Sequence, residues 1–461
     1  MLFSSMTFVF MFLPLVFTAY LLMPPRFRNG LLLAASILFY AWGEPRYVAI
    51  MLLTVFVNWL GALLIARYSK RKSLILAATV CADLGILFYF KYFNFAIRNL
   101  NALWGADIPF AEVIMPIGIS FYTFQALSYL ADVYHGEVKA QKNIYNLALY
   151  ITLFPQLVAG PIVKYHDIAG QLSNRTISLD KVLYGVRRFI IGLAKKVLIA
   201  NTLGVAADAI FAQPVTNFDA LTAWAGALAY SLQLFYDFSG YSDMAIGLGA
   251  MFGFKFFENF NYPYISKSVS EFWQRWHISL SSWFKEYLYI SLGGNRNGRA
   301  RTVFNLAVVF LATGIWHGAE WTFVAWGVWH GAFVIIEKLS GWHKTSRFKL
   351  LHHAYCLLVL IIGWVIFRAE NLAYAYVYLQ NMFGLLSTHN IANQIGAYID
   401  NLELIVLTVA IVCALPIFKN MMKVKSSWAN LAINIWLLIL FLLSTAALAS
   451  STYNPFIYFR F

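Results

Sequence analysis

The stretch RYVAIMLLTVFVNWLGALLIARYSKRK, Arg46 to Lys72, decides the solvent of this protein. From Tyr47 to Ala66 it carries no charge, and Arg67, Lys70, Arg71 and Lys72 then close it. A membrane helix needs about 20 mainly apolar residues to cross a hydrocarbon core of about 30 Å, and Lys and Arg collect in the cytoplasmic loops. The stretch meets both requirements at once.

Apolar segments of the same kind cover 5–23, 30–43, 46–66, 73–90, 113–131, 143–162, 219–250, 302–318, 321–339, 351–368, 402–418 and 428–449, which predicts ten to twelve spans. The rest of the composition agrees: of 461 residues 61% are hydrophobic and 12% charged, with a mean hydropathy of +0.66. Soluble domains carry about a quarter charged residues, so a soluble enzyme and a disordered chain are both excluded. The predicted fold class is all-α, a polytopic helical bundle with re-entrant and interfacial helices around a central cavity, forming a single domain over 1–461. The net charge of +14 has no polar domain on which to cluster. It reads as juxtamembrane Lys and Arg facing lipid head groups, and no nucleic-acid partner is expected.

Arg26 and Arg28 follow the first span and the Arg67 to Lys72 cluster follows the third, which predicts an outside N-terminus. Met1 to Met23 lacks a basic leader and a small-x-small cleavage site, so it reads as a retained span. Beyond residue 163 the basic stretches 164–200 and 255–301 leave the topology open. Residues 181–211 interleave Arg187, Arg188, Lys195 and Lys196 with Phe189, Ile190, Leu193 and Val197, the pattern of an interfacial helix. Segment 219–250 holds Asp237 and Asp243 and reads as interrupted, since irregular backbone at membrane depth is tolerated only where it is buried or lines a cavity. Cys81, Cys356 and Cys413 stand far apart in apolar stretches and read as small buried hydrophobes.

Ionisable groups at membrane depth are functional candidates. His317 lies in Thr313-Gly314-Ile315-Trp316-His317-Gly318-Ala319-Glu320-Trp321, where a helix would give it a small or polar face of Thr313, Gly314 and Glu320. His277 follows Glu271-Phe272-Trp273-Gln274-Arg275-Trp276, with helical neighbours Trp273, Leu280 and Phe284 and a Glu271–Arg275 pair. His330, near Trp326 and Phe333, reads as packing. Asp237 and Tyr241 stand four apart and could bond each other or orient a histidine, or simply hold helices together. No HExxH or facial-triad spacing joins a histidine to a carboxylate, so no catalytic metal is expected. There is no GxSxG elbow and no P-loop order. The turn Gly293-Gly294-Asn295-Arg296-Asn297-Gly298-Arg299 could still contact a cofactor phosphate.

Five segments together resemble the membrane-bound O-acyltransferases: Pro116 to Gln125, Phe154 to Ile162, Tyr236 to Asp243, Glu271 to Gly294, and Trp316-His317-Gly318. The motif-bearing core is about 113–340. Within the family the chain is most similar to the bacterial alginate O-acetyltransferase branch, including the ending Asn454-Pro455-Phe456-Ile457-Tyr458-Phe459. The resemblance implies acyl transfer to a hydroxyl at the membrane, with His317 catalytic and His277 as the second motif histidine, at a position where many branches carry Asn and the bacterial polysaccharide branch carries His. Gln274 stands where the family pattern has Arg, and Lys285-Glu286 replaces Arg-Asp. Asp237, Tyr241, Trp316, Trp276, Arg275 and His330 are candidates for positioning the substrate.

The expected donor is acetyl-coenzyme A on the cytoplasmic side, bound as a substrate with no tightly held cofactor. The expected acceptor is an extracytoplasmic polysaccharide or a periplasmic acyl-accepting partner protein, in a multi-pass protein of the bacterial inner membrane. Peptidoglycan O-acetylation and teichoic-acid D-alanylation remain open within this class. A secondary transporter or lipid-linked sugar flippase remains open outside it, although no internal repeat is visible.

Overall fold

A computed structural model describes residues 1–105, 108–342, 349–386, 395–418, 427–451 and 453–457. Tyr458 and Phe459 of the C-terminal motif lie outside the described residues. The described residues are helical, joined by turns and short extended segments, without a β-ladder. Among the described residues, six helices are long and apolar enough to cross a membrane: Pro45–Arg67, Ser69–Trp104, Leu179–Phe211, Gly298–His317, Lys349–Arg368 and Ser427–Ser450. Phe8–Leu22 and Asn401–Cys413 are apolar but shorter. By length and composition, six spans stand among the described residues against the ten to twelve expected. Several expected spans are short helices, such as Arg28–Ala41 and Ile144–Thr152. On Ser427–Ser450, Leu431, Ile435, Leu438, Ile439 and Leu442 are all exposed, a surface that lipid solvates and water does not.

Two sequence expectations change. The stretch 181–211 is not a separate interfacial helix: Leu179–Phe211 is continuous, with a π-helical segment over Lys195–Ala200, and qualifies as a span. Nor is 219–250 interrupted, for Ala220–Met251 is one helix of 32 residues. Its carboxylates are neutralised by side chains and do not bend the backbone. Asp243 pairs with Arg188 at 2.6 Å and Asp237 with Lys196 at 2.6 Å.

The interruption falls instead in 143–162. Pro155 cannot continue the helix that ends at Thr152, because it has no N–H to donate to the Ile151 carbonyl and its ring would clash with that carbonyl, and Leu153 leaves helical geometry with ψ 112°. A short helix, Phe154–Leu157, begins there, and the Phe154 N–H is taken by Ser36 Oγ at 3.0 Å.

The chain divides into two compact units, the first Met1–Phe189 with Ser242–Phe257 and the second Ile190–Tyr241 with Glu258–Phe461. In the first unit two motif stretches meet at Gly118. Its φ is 78°, and a Cβ there would lie 2.9 Å from the Leu157 carbonyl oxygen. Both the left-handed backbone and the close approach require glycine. The unit also holds an aromatic core in which the Phe8, Phe12, Phe39 and Phe154 rings pack with centroids 5.5 to 6.3 Å apart.

In the second unit small residues bring helices close, the usual way for helices to associate where lipid removes the hydrophobic drive. A Cβ on Gly314 would fall 2.6 Å from the Phe323 carbonyl oxygen, and one on Gly327 would fall 2.6 Å from that of Phe310. Helices Gly298–His317 and Trp321–Ser340 thereby form a tight hairpin whose bend carries the Trp-His-Gly motif.

Candidate active site

His317 is the last residue of its helix, and the backbone leaves helical geometry at Gly318, which has φ −172° and ψ 160°. A Cβ at Gly318 would sit 2.2 Å from the Phe323 ring, so the exit is shaped around a residue without a side chain. Because the helix stops, Glu320 and Trp321 are not on a helical face with the imidazole. The neighbours are aromatic: ring centroids of Trp316, Trp326 and Phe367 lie 5.0, 4.8 and 5.5 Å away. Of the face expected from sequence, Thr313 and Gly314 remain on the helix one turn before His317, while aromatic rings take the place expected for Glu320 and Trp321. His317 itself is buried.

His277 also breaks its helix. It sits at φ 44° and ψ 54°, between Val269–Arg275 and Ile278–Trp283. A non-glycine residue in this region is uncommon and costs free energy, which the surroundings must offset. A crossing segment does so: Asn261 N–H donates to Arg275 O, and Ile278 N–H donates to Asn259 O, both at 2.9 Å.

The buried Asn259 side chain orients the ring. Its Oδ1 accepts from the Ser279 backbone N–H at 3.1 Å, which fixes that atom as oxygen, and from Ser279 Oγ at 2.9 Å. His277 Nδ1 lies 3.3 Å from the same oxygen, so Nδ1 carries the proton and Nε2 the lone pair. Burial pushes the imidazolium pKa down to about 3, so the ring is neutral at ordinary pH. Its edge faces the Phe238 ring at 4.6 Å.

Both motif histidines touch one indole. Trp316 lies 6.2 Å from the His277 ring and 5.0 Å from the His317 ring, centroid to centroid. Trp276 is buried at the base of the group, 5.0 Å from Trp364 and 5.3 Å from Phe272. His330 is fully buried, 5.4 Å from Trp273 and 5.1 Å from Trp326, and neither ring nitrogen has a hydrogen-bond partner among the described residues. It is one ring removed from His317.

Arg275 pairs with Glu271 at 2.9 Å, as the spacing suggested, and donates to Asn261 O, so it ties the crossing segment. Asp237 orients no histidine. It holds Lys196 and accepts the Ile457 N–H at 2.9 Å, while Tyr241 packs on Phe456 at 4.6 Å.

A cavity of about 190 Å³ in the same unit is separated from His317 by the Phe367 ring. Phe323 and Phe367, packed edge-on at 4.9 Å, form part of its wall, and Phe367 is also the ring against His317. Its polar lining includes Gln233, Glu320, Thr322 and Glu370, with Arg368 paired to Asp208 at 2.6 Å. Pro455 and Ile457 of the C-terminal segment complete it.

The family model of the membrane-bound O-acyltransferases (MBOAT) matches residues 37–379. The chain belongs to this family. It is 43% identical to a probable alginate O-acetylase of Pseudomonas putida over the whole of both chains. It is also 33% identical to a peptidoglycan O-acetyltransferase of Helicobacter pylori, over 91% of this chain and 87% of that one. A teichoic acid D-alanyltransferase of Bacillus subtilis is 31% identical over 46% of this chain and 55% of its own. The protein is an O-acyltransferase, all-helical and multi-pass.

Several residues of this acyltransferase's site were not visible in its sequence. Asn259 lies 18 positions before His277 in an aromatic loop, and only the positive φ at His277 brings it under the ring. Phe367 and Trp326 are ordinary core aromatics by pattern, yet they wall His317. The cavity draws on residues between 208 and 457, so no local motif could announce it.

Proposed function

We propose that this acyltransferase moves an acetyl group from cytoplasmic acetyl-coenzyme A to a hydroxyl on the extracytoplasmic side of the bacterial inner membrane, serving O-acetylation of a secreted polysaccharide of the alginate type. The full-length 43% identity to the Pseudomonas putida protein carries this reading. The immediate acceptor is the sugar hydroxyl or a hydroxyl of a periplasmic partner protein that hands the acetyl group on.

A hydroxyl is a weak nucleophile at neutral pH, so a positioned base must take its proton as it attacks the thioester carbonyl. His317 has the ordinary chemistry for this. It receives the hydroxyl proton, the new C–O bond forms, the C–S bond breaks, and the proton goes to the leaving thiolate. His277 is neutral with its lone pair on Nε2, so it suits accepting a hydrogen bond from the incoming hydroxyl better than donating one to an oxyanion. Excluding water from the aromatic surround protects the thioester from hydrolysis.

The exposed Arg296 and Arg299 beside the left-handed Gly293 and Gly294 offer charge for the phosphates of the donor. Replacing both with Ala is expected to raise KM for acetyl-coenzyme A about tenfold or more, at about 1.5 to 3 kcal/mol per charged hydrogen bond lost, with kcat little changed. Steady-state kinetics in detergent or liposomes would measure this, and an unchanged KM would remove these arginines from the donor site.

The assignment as a whole is tested by releasing ester-linked groups with mild alkali from secreted polymer and from purified cell wall, in cells with and without the gene. Acetate that depends on the gene and appears in the polymer is the expected result. Acetate in peptidoglycan, or D-alanine on teichoic acid, would reassign the acceptor. No ester in any fraction would overturn acyl transfer to these polymers.

A further inference from the structure

We propose that Asp132, Glu137 and His166 of the first unit form a zinc(II) site that staples helix Ile119–His135 to helix Tyr165–Ser173. The first helix ends at Gly136, whose φ of 81° folds the chain back so that the Glu137 and Val138 N–H groups both donate to Asp132 O. The turn brings the Glu137 carboxylate back beside the fully buried Asp132 side chain. The second helix brings His166 to the same place. Its backbone N–H lies 3.3 Å and its Nδ1 3.0 Å from Asp132 Oδ2, and Glu137 Oε2 is 3.8 Å from Nδ1.

The charges around the ring point to a cation. On its other edge His166 Nε2 lies 3.4 Å from Asp167 Oδ1, so both ring nitrogens face carboxylates. A neutral imidazole has one N–H and one lone pair, so Nδ1 either donates to Asp132 or turns its lone pair to a metal held with the two carboxylates. With the proton on Nε2, which lies 3.4 Å from Asp167 Oδ1 without a hydrogen bond between them, Nδ1 is the ligand atom. The Nδ1 lone pair, Asp132 Oδ2 and Glu137 Oε2 then converge on one point, with the three donor atoms within 4.8 Å of one another.

Zinc bonds of about 2.0 to 2.2 Å in tetrahedral geometry put ligand atoms roughly 3.3 to 3.6 Å apart. The observed 3.0 and 3.8 Å bracket that spacing. One nitrogen and two carboxylate oxygens suit zinc, with a water as fourth ligand. The competing arrangement has no metal, and His166 Nδ1–H donates to Asp132 Oδ2.

The test uses the full chain purified in detergent without a polyhistidine tag. Zinc content is measured by mass spectrometry after dialysis, and affinity by competition with a chromophoric chelator. Wild-type protein should hold close to one zinc per chain. Glu137→Gln, a change at an exposed position that removes one proposed ligand, should weaken binding by more than the roughly 10- to 100-fold lost when an outer-shell partner of a metal ligand is removed. His166→Asn should abolish binding, and a chelator should lower the wild-type Tm reversibly while leaving that variant's unchanged. A wild-type protein that takes up no zinc at micromolar free metal would overturn the proposal. So would a His166→Asn variant with undiminished affinity, or a site that prefers manganese over zinc.

Discussion

Replacing His317 with Gln is expected to lower acyl transfer by about 10²- to 10⁴-fold, the usual worth of a positioned acid–base group, while membrane level and thermal unfolding stay close to wild type. Glutamine has a similar volume and can still pack against Trp316, Trp326 and Phe367, but it cannot take a proton. The discriminating readout is ester-linked acetate formed per unit of folded protein, together with Tm. A purely structural histidine would lose stability and activity in parallel. Activity within a few-fold of wild type at equal protein would remove His317 from the chemistry. His330→Gln is the internal comparison: the ring is buried one aromatic residue further from the motif, so this change should act on stability before it acts on rate.

Replacing Asp237 alone with Leu is expected to destabilise the protein by about 3 to 5 kcal/mol, the cost of leaving a buried charge without its partner. Lys196 would be the stranded group. Its Nζ lies 2.6 Å from Asp237 and 2.8 Å from Asn201 Oδ1, and it also donates to the Pro455 carbonyl. Asp237 accepts the Ile457 N–H, so the same change should loosen the C-terminal segment that lines the cavity. Lys196→Met combined with Asp237→Leu removes both charges and should recover much of the loss, since apolar replacement of a buried pair is often neutral. Unfolding in detergent and protease cleavage near the C-terminus would measure both effects. A single variant as stable as wild type would show that the pair carries no structural weight.

The two histidines teach different lessons about what a sequence shows. His317 was found because an ionisable residue in an apolar stretch is costly and rarely accidental, and its motif context pointed to acyl transfer. Its surroundings were misjudged because helical periodicity was extended through Gly318, where the helix ends. His277 was placed on a helix for the same reason, whereas its left-handed backbone lies between two short helices. A positive φ at a non-glycine residue leaves no mark in the local sequence, because contacts with the distant Asn259 and Asn261 impose it.

The carboxylates of 219–250 show the same limit from the other side. Sequence reading took Asp237 and Asp243 as reasons for a broken helix, but Lys196 and Arg188 neutralise them and the helix runs through. Those cations were themselves read as the polar face of an interfacial helix. Pairing across 41 and 55 positions converts two apparent defects into two ion pairs, and no periodicity within either segment reports them.

The sequence by itself determined that the chain is a polytopic helical membrane protein of the O-acyltransferase family, and it singled out two motif histidines as the candidates for its chemistry. Low charge, long apolar runs and the spacing of the Trp-His-Gly and Arg-Trp-His motifs are local properties, readable residue by residue. Only the tertiary structure decided which apolar runs are long helices, which charges are neutralised, that one indole meets both histidines, and that Asp132, Glu137 and His166 converge. Those outcomes depend on pairings between distant segments, where desolvation makes each buried charge seek whichever partner the packing brings within reach.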